Sequence, residues 1–190
     1  MARAKTSRRS PSALHQEQTD AYGCVAACVC ILRRWLGDDP DLDALRRHLE
    51  ALSVPALPTA AIATGWKHRF LDWDEPEERL LLDAYLEQGL WLIVDVWPGP
   101  MTMHNERHPP AVVSRFGHLM RRAREDIDRR EDLSRRIPQR PHHAIVLVES
   151  FPGGYRYLDP WYPREGQPFT IQRSEFALVW TGQVVIPQKP

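Results

Sequence analysis

The stretch that most narrows what this chain can become is Gln18-Thr19-Asp20-Ala21-Tyr22-Gly23-Cys24-Val25-Ala26-Ala27-Cys28. Cys24 opens an apolar run, Val25 to Leu36, long enough for a buried helix. A cysteine in the first turn of such a helix meets unpaired backbone N–H groups and the positive end of the helix dipole. Both favour thiolate over thiol, so the sulfur becomes nucleophilic near neutral pH. Gly23 is free to take unusual dihedrals, which would let the loop fold the Gln18 amide back beside the sulfur. That amide and the Cys24 N–H are then two donors aimed at one developing oxyanion. The stretch reads as half of an acyl-transfer site.

Composition bounds the rest. A chain of 190 residues with 43% apolar content and seven tryptophans is a globular domain with a real core. A formal net charge of zero gives no global pull toward nucleic acid or an anionic membrane. No apolar run reaches the length of a membrane span, and none follows the basic start Met1 to Ser12, which is therefore not a secretory signal. The three cysteines all fall close together, which argues against a disulfide framework and for the reducing cytoplasm. Residues 1–13, with Arg3, Lys5, Arg8 and Arg9, are expected to be a disordered basic tail, and 14–190 the domain.

The first helix should end at Gly37, with Arg33 and Arg34 in its last turn. A second is signalled by Asp39 as N-cap and Pro40 at its first position, with Leu42, Leu45, Leu49 and Leu52 on one face. A short element around Ala60 to Ala63, a strand-like piece Arg69 to Trp73 and a helix Glu75 to Gln88 follow. Leu90 to Trp97 is the first convincing strand. His143 to Val148 and Tyr155 to Leu158 form a hairpin about Pro152-Gly153, and a helical turn at Ser174 to Val179 leads into a last strand, Gln183 to Ile186. Helices first and strands later point to an α+β architecture with segregated halves.

That hairpin carries the other half of the site. His143 starts one strand and Asp159 ends the next, so imidazole and carboxylate become neighbours. The carboxylate fixes the ring's tautomer and supports an imidazolium. Cys24, His143, Asp159 and Gln18 thus supply nucleophile, general base and acid, orienter and oxyanion donor. His142 faces the other side of the strand, and His143 is preferred because it abuts the apolar run. Asp95, on the earlier strand, is a rival orienter or a satisfied buried acid. Cys28 and Cys30 read as core.

No cofactor is implied. The cysteines lack the paired spacing of structural zinc sites, and His104-Asn105-Glu106-Arg107-His108 lies among prolines with its glutamate at the wrong offset for a metalloprotease. The arginines of 101–140 are interleaved with acids, the pattern of an exposed helix over Ser114 to Arg136 rather than a nucleic-acid patch. This charged insertion returns to the sheet just before His143, and is expected to act as a lid or to dock a partner protein.

These motifs resemble those of the bacteriocin-processing peptidases, papain-like cysteine peptidases that remove leader peptides after a double glycine. The match runs through Gln18, Cys24, Ala27 and Cys28, then Trp35-Leu36-Gly37 and Leu42-Asp43-Ala44-Leu45-Arg46. It continues in His143-Ala144-Ile145-Val146 and Leu158-Asp159-Pro160. The family's Asp-Cys-Gly is Gly23-Cys24-Val25 here, and 101–140 exceeds the family's usual connection. The resemblance implies a helical half packed against an antiparallel sheet, the four site residues above, a peptide or protein substrate and no cofactor. Two alternatives stay open: a transglutaminase or acyltransferase using the same acyl-enzyme, and a peptide-binding module without turnover.

Overall fold

A computed structural model describes residues 10–19, 23–52, 56–98, 101, 105 and 142–188. In chain order the elements are α1 (Pro11–Leu14), α2 (Cys24–Leu36), α3 (Leu42–Leu52), α4 (Leu57–Thr64), β1 (Lys67–Phe70), α5 (Pro76–Glu87) and β2 (Leu92–Val96). After these come β3 (His143–Phe151), β4 (Gly154–Leu158), β5 (Phe169–Gln172), α6 (Arg173–Val179) and β6 (Trp180–Ile186). The α+β reading holds. The helical turn α1 straddles the expected boundary between tail and domain, and its buried residue is Leu14. The charged helix expected over Ser114 to Arg136 lies outside the described residues, as do His104 and His108.

Local chemistry explains where the helices start and stop. Gly37 closes α2 with φ 103°, a left-handed conformation that other residues adopt at a cost, and the Asp38 N–H reaches back to the Arg33 carbonyl at 2.9 Å. The start of α3 is two residues later than the sequence suggested. Asp41, not Asp39, accepts the N–H groups of Asp43 at 2.9 Å and Ala44 at 3.4 Å, because its carboxylate alone stands at the right offset from the first free donors. Leu45 and Leu49 are buried, while Leu52, at the frayed end of the same face, is exposed.

The sheet has six strands in the order β1-β6-β2-β3-β4-β5, and every pairing is antiparallel. All five residues of β2 are buried, as expected of a central strand covered on both faces. One face carries Ile93, Ala144, Val146 and Val185 and packs against α2 and α4, on which α3 rests. The opposite face carries Leu92, Val94, Ile145 and Leu147 and is covered by Leu82 and Leu86 of α5 and Phe176 and Val179 of α6. The helices therefore divide between two layers. Strand β5 went unread in the sequence: it is four residues long, and only Phe169 and Ile171 point inward.

Two features fix the geometry near the chemistry. Helix α2 packs against β3 through the face that carries Cys24 and Cys28, and the Cys28 Sγ–H donates to the Ala144 carbonyl at 3.3 Å. Register then sets His143 opposite Val96 and Ala144 opposite Asp95.

The β4–β5 edge is testable through one glycine. A Cβ on Gly154 would sit 2.0 Å from the Ile171 carbonyl oxygen, whereas one on Gly153 would meet only side-chain atoms, the nearest at 3.1 Å. Gly154→Ala should cost at least about 2 kcal/mol in urea unfolding, and Gly153→Ala less than about 1 kcal/mol. Equal midpoints for the two variants would refute the Gly154 to Gln172 register.

Candidate active site

Cys24 is the first residue of α2 and is half-buried, while Cys28 and Cys30, further along the helix, are fully enclosed. All three thiols are free. Burial pushes the Cys28 thiol well above its ordinary range and Cys30 up to about 11, so neither ionises readily. Gly23, before the helix, has φ −80° and ψ −5°, an ordinary helical conformation. The unusual dihedral expected of it is absent, because the chain enters α2 already wound in the helical sense.

His143 opens β3 with its ring buried, and its Nε2 lies 2.8 Å from Asp159 Oδ1. With Nε2 engaged there, Nδ1 is left for Cys24, which is a hydrogen-bonding neighbour of the ring. Burial by itself would discharge this imidazole. The Asp159 carboxylate, reinforced by Cys24, outweighs burial and lifts the pKa to about 10. The indole of Trp161 stands edge-on to the ring at 5.9 Å.

Asp159 is buried and held on every side. Its Oδ1 also accepts the Trp161 N–H at 2.9 Å, closing a turn through Pro160, and its Oδ2 accepts from Asn105 Nδ2 at 2.9 Å. Its own backbone is clamped by the Gln167 side chain, which accepts the Asp159 N–H at 3.0 Å and donates to the Asp159 carbonyl at 2.8 Å. None of these partners was read from the sequence. The Asp-Pro-Trp turn had a local signal in an aspartate able to accept the N–H two residues on. Asn105 and Gln167 had none, because they meet Asp159 only through the tertiary fold.

Gln18 is buried, and its backbone N–H donates to the Pro160 carbonyl at 2.9 Å. The segment leading into it is laced to the same loop. The Arg164 Nε donates to the Ser12 carbonyl at 2.7 Å, and the buried His15 donates from Nε2 to the Tyr162 carbonyl at 2.9 Å. Burial lowers the His15 pKa, keeping the ring neutral in that role. The glutamine loop and the Asp159 loop are thereby one assembly.

His142 and Asp95 form a separate pair on the other side of the strand. His142 Nδ1 is 2.7 Å from Asp95 Oδ2, which also accepts from Thr181 Oγ1 at 2.7 Å and Gln183 Nε2 at 3.3 Å. The His142 ring is half-exposed and stacks on Trp97 at 5.3 Å. Asp95 is thus a satisfied acid of this second pair and does not orient His143. A cavity of about 310 Å³ lined by Leu36, Thr64 and Trp66 lies at the far end of α2 from Cys24 and belongs to neither pair.

Solved structures provide the comparison. The peptidase domain of ComA from Streptococcus, a bi-functional ABC transporter involved in a quorum sensing pathway, superposes with TM-score 0.54 at 17% identity, covering 92% of this chain and 98% of that domain. A C39-like peptidase from Bacillus anthracis superposes with TM-score 0.54 at 11% identity, over 93% of this chain and 96% of its own. This chain has the C39-like peptidase fold. No protein-family model and no curated protein matches its sequence. In the C39-like fold described here, a helix N-terminus meets the open ends of an antiparallel hairpin, and Cys24 meets His143 at that junction. No helix among the described residues is long and apolar enough to cross a membrane.

The raised pKa of His143 makes a signed prediction. A folded-state pKa above the unfolded 6.5 contributes stability that is complete below 6.5 and is lost as pH rises toward about 10. Asp159→Asn removes the main cause. The stability gap between wild type and Asp159→Asn in urea should therefore be widest below 6.5 and narrow steadily toward 10. A gap that stays constant over that range would show that the pair carries no proton linkage.

Proposed function

We propose that this protein is a cysteine peptidase that cleaves a peptide or protein amide bond. The observation that supports it best is a buried imidazole held between a fully engaged carboxylate and a thiol at the first position of a helix. A ring that keeps its proton to high pH beside that thiol favours a thiolate–imidazolium pair, the reactive form of a cysteine nucleophile.

In this reading Cys24 Sγ attacks the scissile carbonyl carbon. The negative charge that develops on the carbonyl oxygen is taken by the Gln18 side-chain amide and the Cys24 N–H, the latter among the first N–H groups of a helix, which have no intrahelical acceptor. His143 gives its proton to the departing amine, leaving an acyl-enzyme. It then removes a proton from water, which attacks the thioester, so that the acyl group leaves as a carboxylic acid and the thiolate–imidazolium pair is restored. Asp159 holds the ring in one tautomer throughout. The resemblance of the Gln18–Cys28 and His143–Pro160 motifs to bacteriocin-processing peptidases narrows the substrate class to peptides carrying a double-glycine leader. Because the nucleophile must stay reduced, the cytoplasm is the compartment that suits it.

The test is intact-protein mass spectrometry with double-glycine peptides, together with kinetics of five variants. Cys24→Ala should abolish turnover and leave peptide binding in place. Gln18→Ala should cost on the order of a hundredfold in kcat, the scale of one oxyanion donor. His143→Ala should be more damaging than Asp159→Asn. Iodoacetamide should label Cys24 ahead of Cys28 and Cys30 well below about pH 8. Labelling of Cys28 or Cys30 first, or full turnover in His143→Ala with loss in His142→Ala, would overturn the assignment. Capture of an added amine in place of water would make the enzyme an acyltransferase.

A further inference from the structure

Asn105 is a buried polar residue whose amide bonds two other buried groups, one at each end. Nδ2 donates to Asp159 Oδ2 at 2.9 Å, and Oδ1 accepts the hydroxyl proton of Tyr157, itself fully buried on β4. The two ends of an asparagine amide have the same shape, so its orientation is decided by its partners. An ionised Asp159 can only accept, so Nδ2 must face it. The oxygen then faces Tyr157, which must donate. Tyr157 keeps its proton because burial, with the Asp159 charge nearby, raises its pKa well above the phenol range. The chain of donors therefore has one direction, from Tyr157 through Asn105 to Asp159 and on to the face of the carboxylate that holds His143.

We propose that Asn105 and Tyr157 are positioning residues for the histidine–aspartate pair, locking the rotation of the Asp159 carboxylate so that Oδ1 stays on His143 Nε2. Rotation about the terminal bond of an aspartate is soft, and a carboxylate held by one oxygen alone can swing. Here Oδ1 is held by His143 and Trp161, and Oδ2 by Asn105. Asn105 belongs to the long connection between β2 and β3, so part of that connection's sequence is required for the site to be in order. The proposal rests on the peptidase reading for its kinetic consequences, but not for the geometry of the pair.

Among titratable groups, His143 from β3 touches the carboxylate, and Cys28 from α2, His15 from the segment before Gln18 and Tyr157 from β4 lie near enough to feel its charge; Tyr162 and Glu175 act in the same way on Tyr157. Against that background, Asn105→Asp is the informative variant. When protonated, its acid can donate to Asp159 Oδ2 as the amide does; when ionised, it sets two carboxylates against each other.

The kinetic arm measures kcat and KM over pH for wild type, Asn105→Ala, Asn105→Asp and Tyr157→Phe, with circular dichroism to check folding. Asn105→Ala should lower kcat roughly tenfold to a hundredfold with KM nearly unchanged, the effect of a misaligned pair. Asn105→Asp should approach wild type at acid pH and lose activity at higher pH, moving its alkaline limb down by about a unit or more. Tyr157→Phe should lower kcat less than Asn105→Ala. A uniform loss at every pH in Asn105→Asp, or wild-type profiles in both Asn105 variants, would overturn the proposal. A second arm needs no substrate: the His143 ring titration followed by NMR should fall toward the ordinary imidazole range in Asn105→Ala, and an unmoved titration would overturn it. If wild type cleaves no double-glycine peptide yet the ring titration moves as stated, the peptidase reading fails and the positioning role stands.

Discussion

The close docking of α2 on β3 is the contact on which the rest of the site depends. The face of α2 turned to β3 carries Cys28, a small side chain that lets the helix lie close to the strand. The Cys28 thiol, with its proton held by burial, ties the helix to the carbonyl of Ala144, the residue after His143. Because Cys24 lies one turn earlier on the same face, the tie at Cys28 also sets the nucleophile against the imidazole. At the other end of the helix, Trp35 stacks on Trp91 at 5.7 Å and resists rotation of the helix about its axis. A larger residue in place of Cys28 would lift α2 and separate sulfur from ring, even though Cys28 takes no part in the chemistry.

Burying an ion pair costs solvation, and the fold offsets that cost by saturating the carboxylate. Asp159 receives donors from His143, Trp161 and Asn105, while Gln167 pins its backbone. Asp95, one strand pair away, shows the contrasting solution. Its histidine partner is half-exposed, its neighbours are Thr181 and Gln183, and burial moves its own carboxyl pKa upward. Two adjacent histidines at the entry to β3 thus occupy two different electrostatic settings. Alternation of side chains across the strand separates them, and the enclosing loops decide which is dry.

Those loops are joined early in the chain. The backbone of Gln18, the ring of His15 and the carbonyl of Ser12 all bond to the segment from Pro160 to Arg164. Such backbone-mediated ties hold the segment that brings in the glutamine against the turn that brings in the aspartate, and they do so without depending on side-chain identity at most of those positions. The pairing of distant loops is what makes one site out of residues from both ends of the sequence.

The sequence by itself determined what local physics controls. The start of α2 at Cys24, its stop at Gly37, the β3–β4 hairpin and the closeness of His143 to Asp159 all follow from apolar runs, turn residues and strand alternation over short distances. Where competing local signals stood close together, as with Asp39 and Asp41 before α3, only the actual donor geometry chose between them. Gly23 shows the reverse error, a permissive residue in a conformation that needs no permission. Tertiary structure alone decided the rest: the short edge strand β5, the placing of α5 and α6 on the far face of the sheet, the pairing of Asp95 with His142, and the hold of Asn105 on Asp159. Each of these depends on groups a dozen or more residues apart meeting in the folded chain. The pattern of a sequence records which residues prefer a dry interior, but not which of them will face one another there.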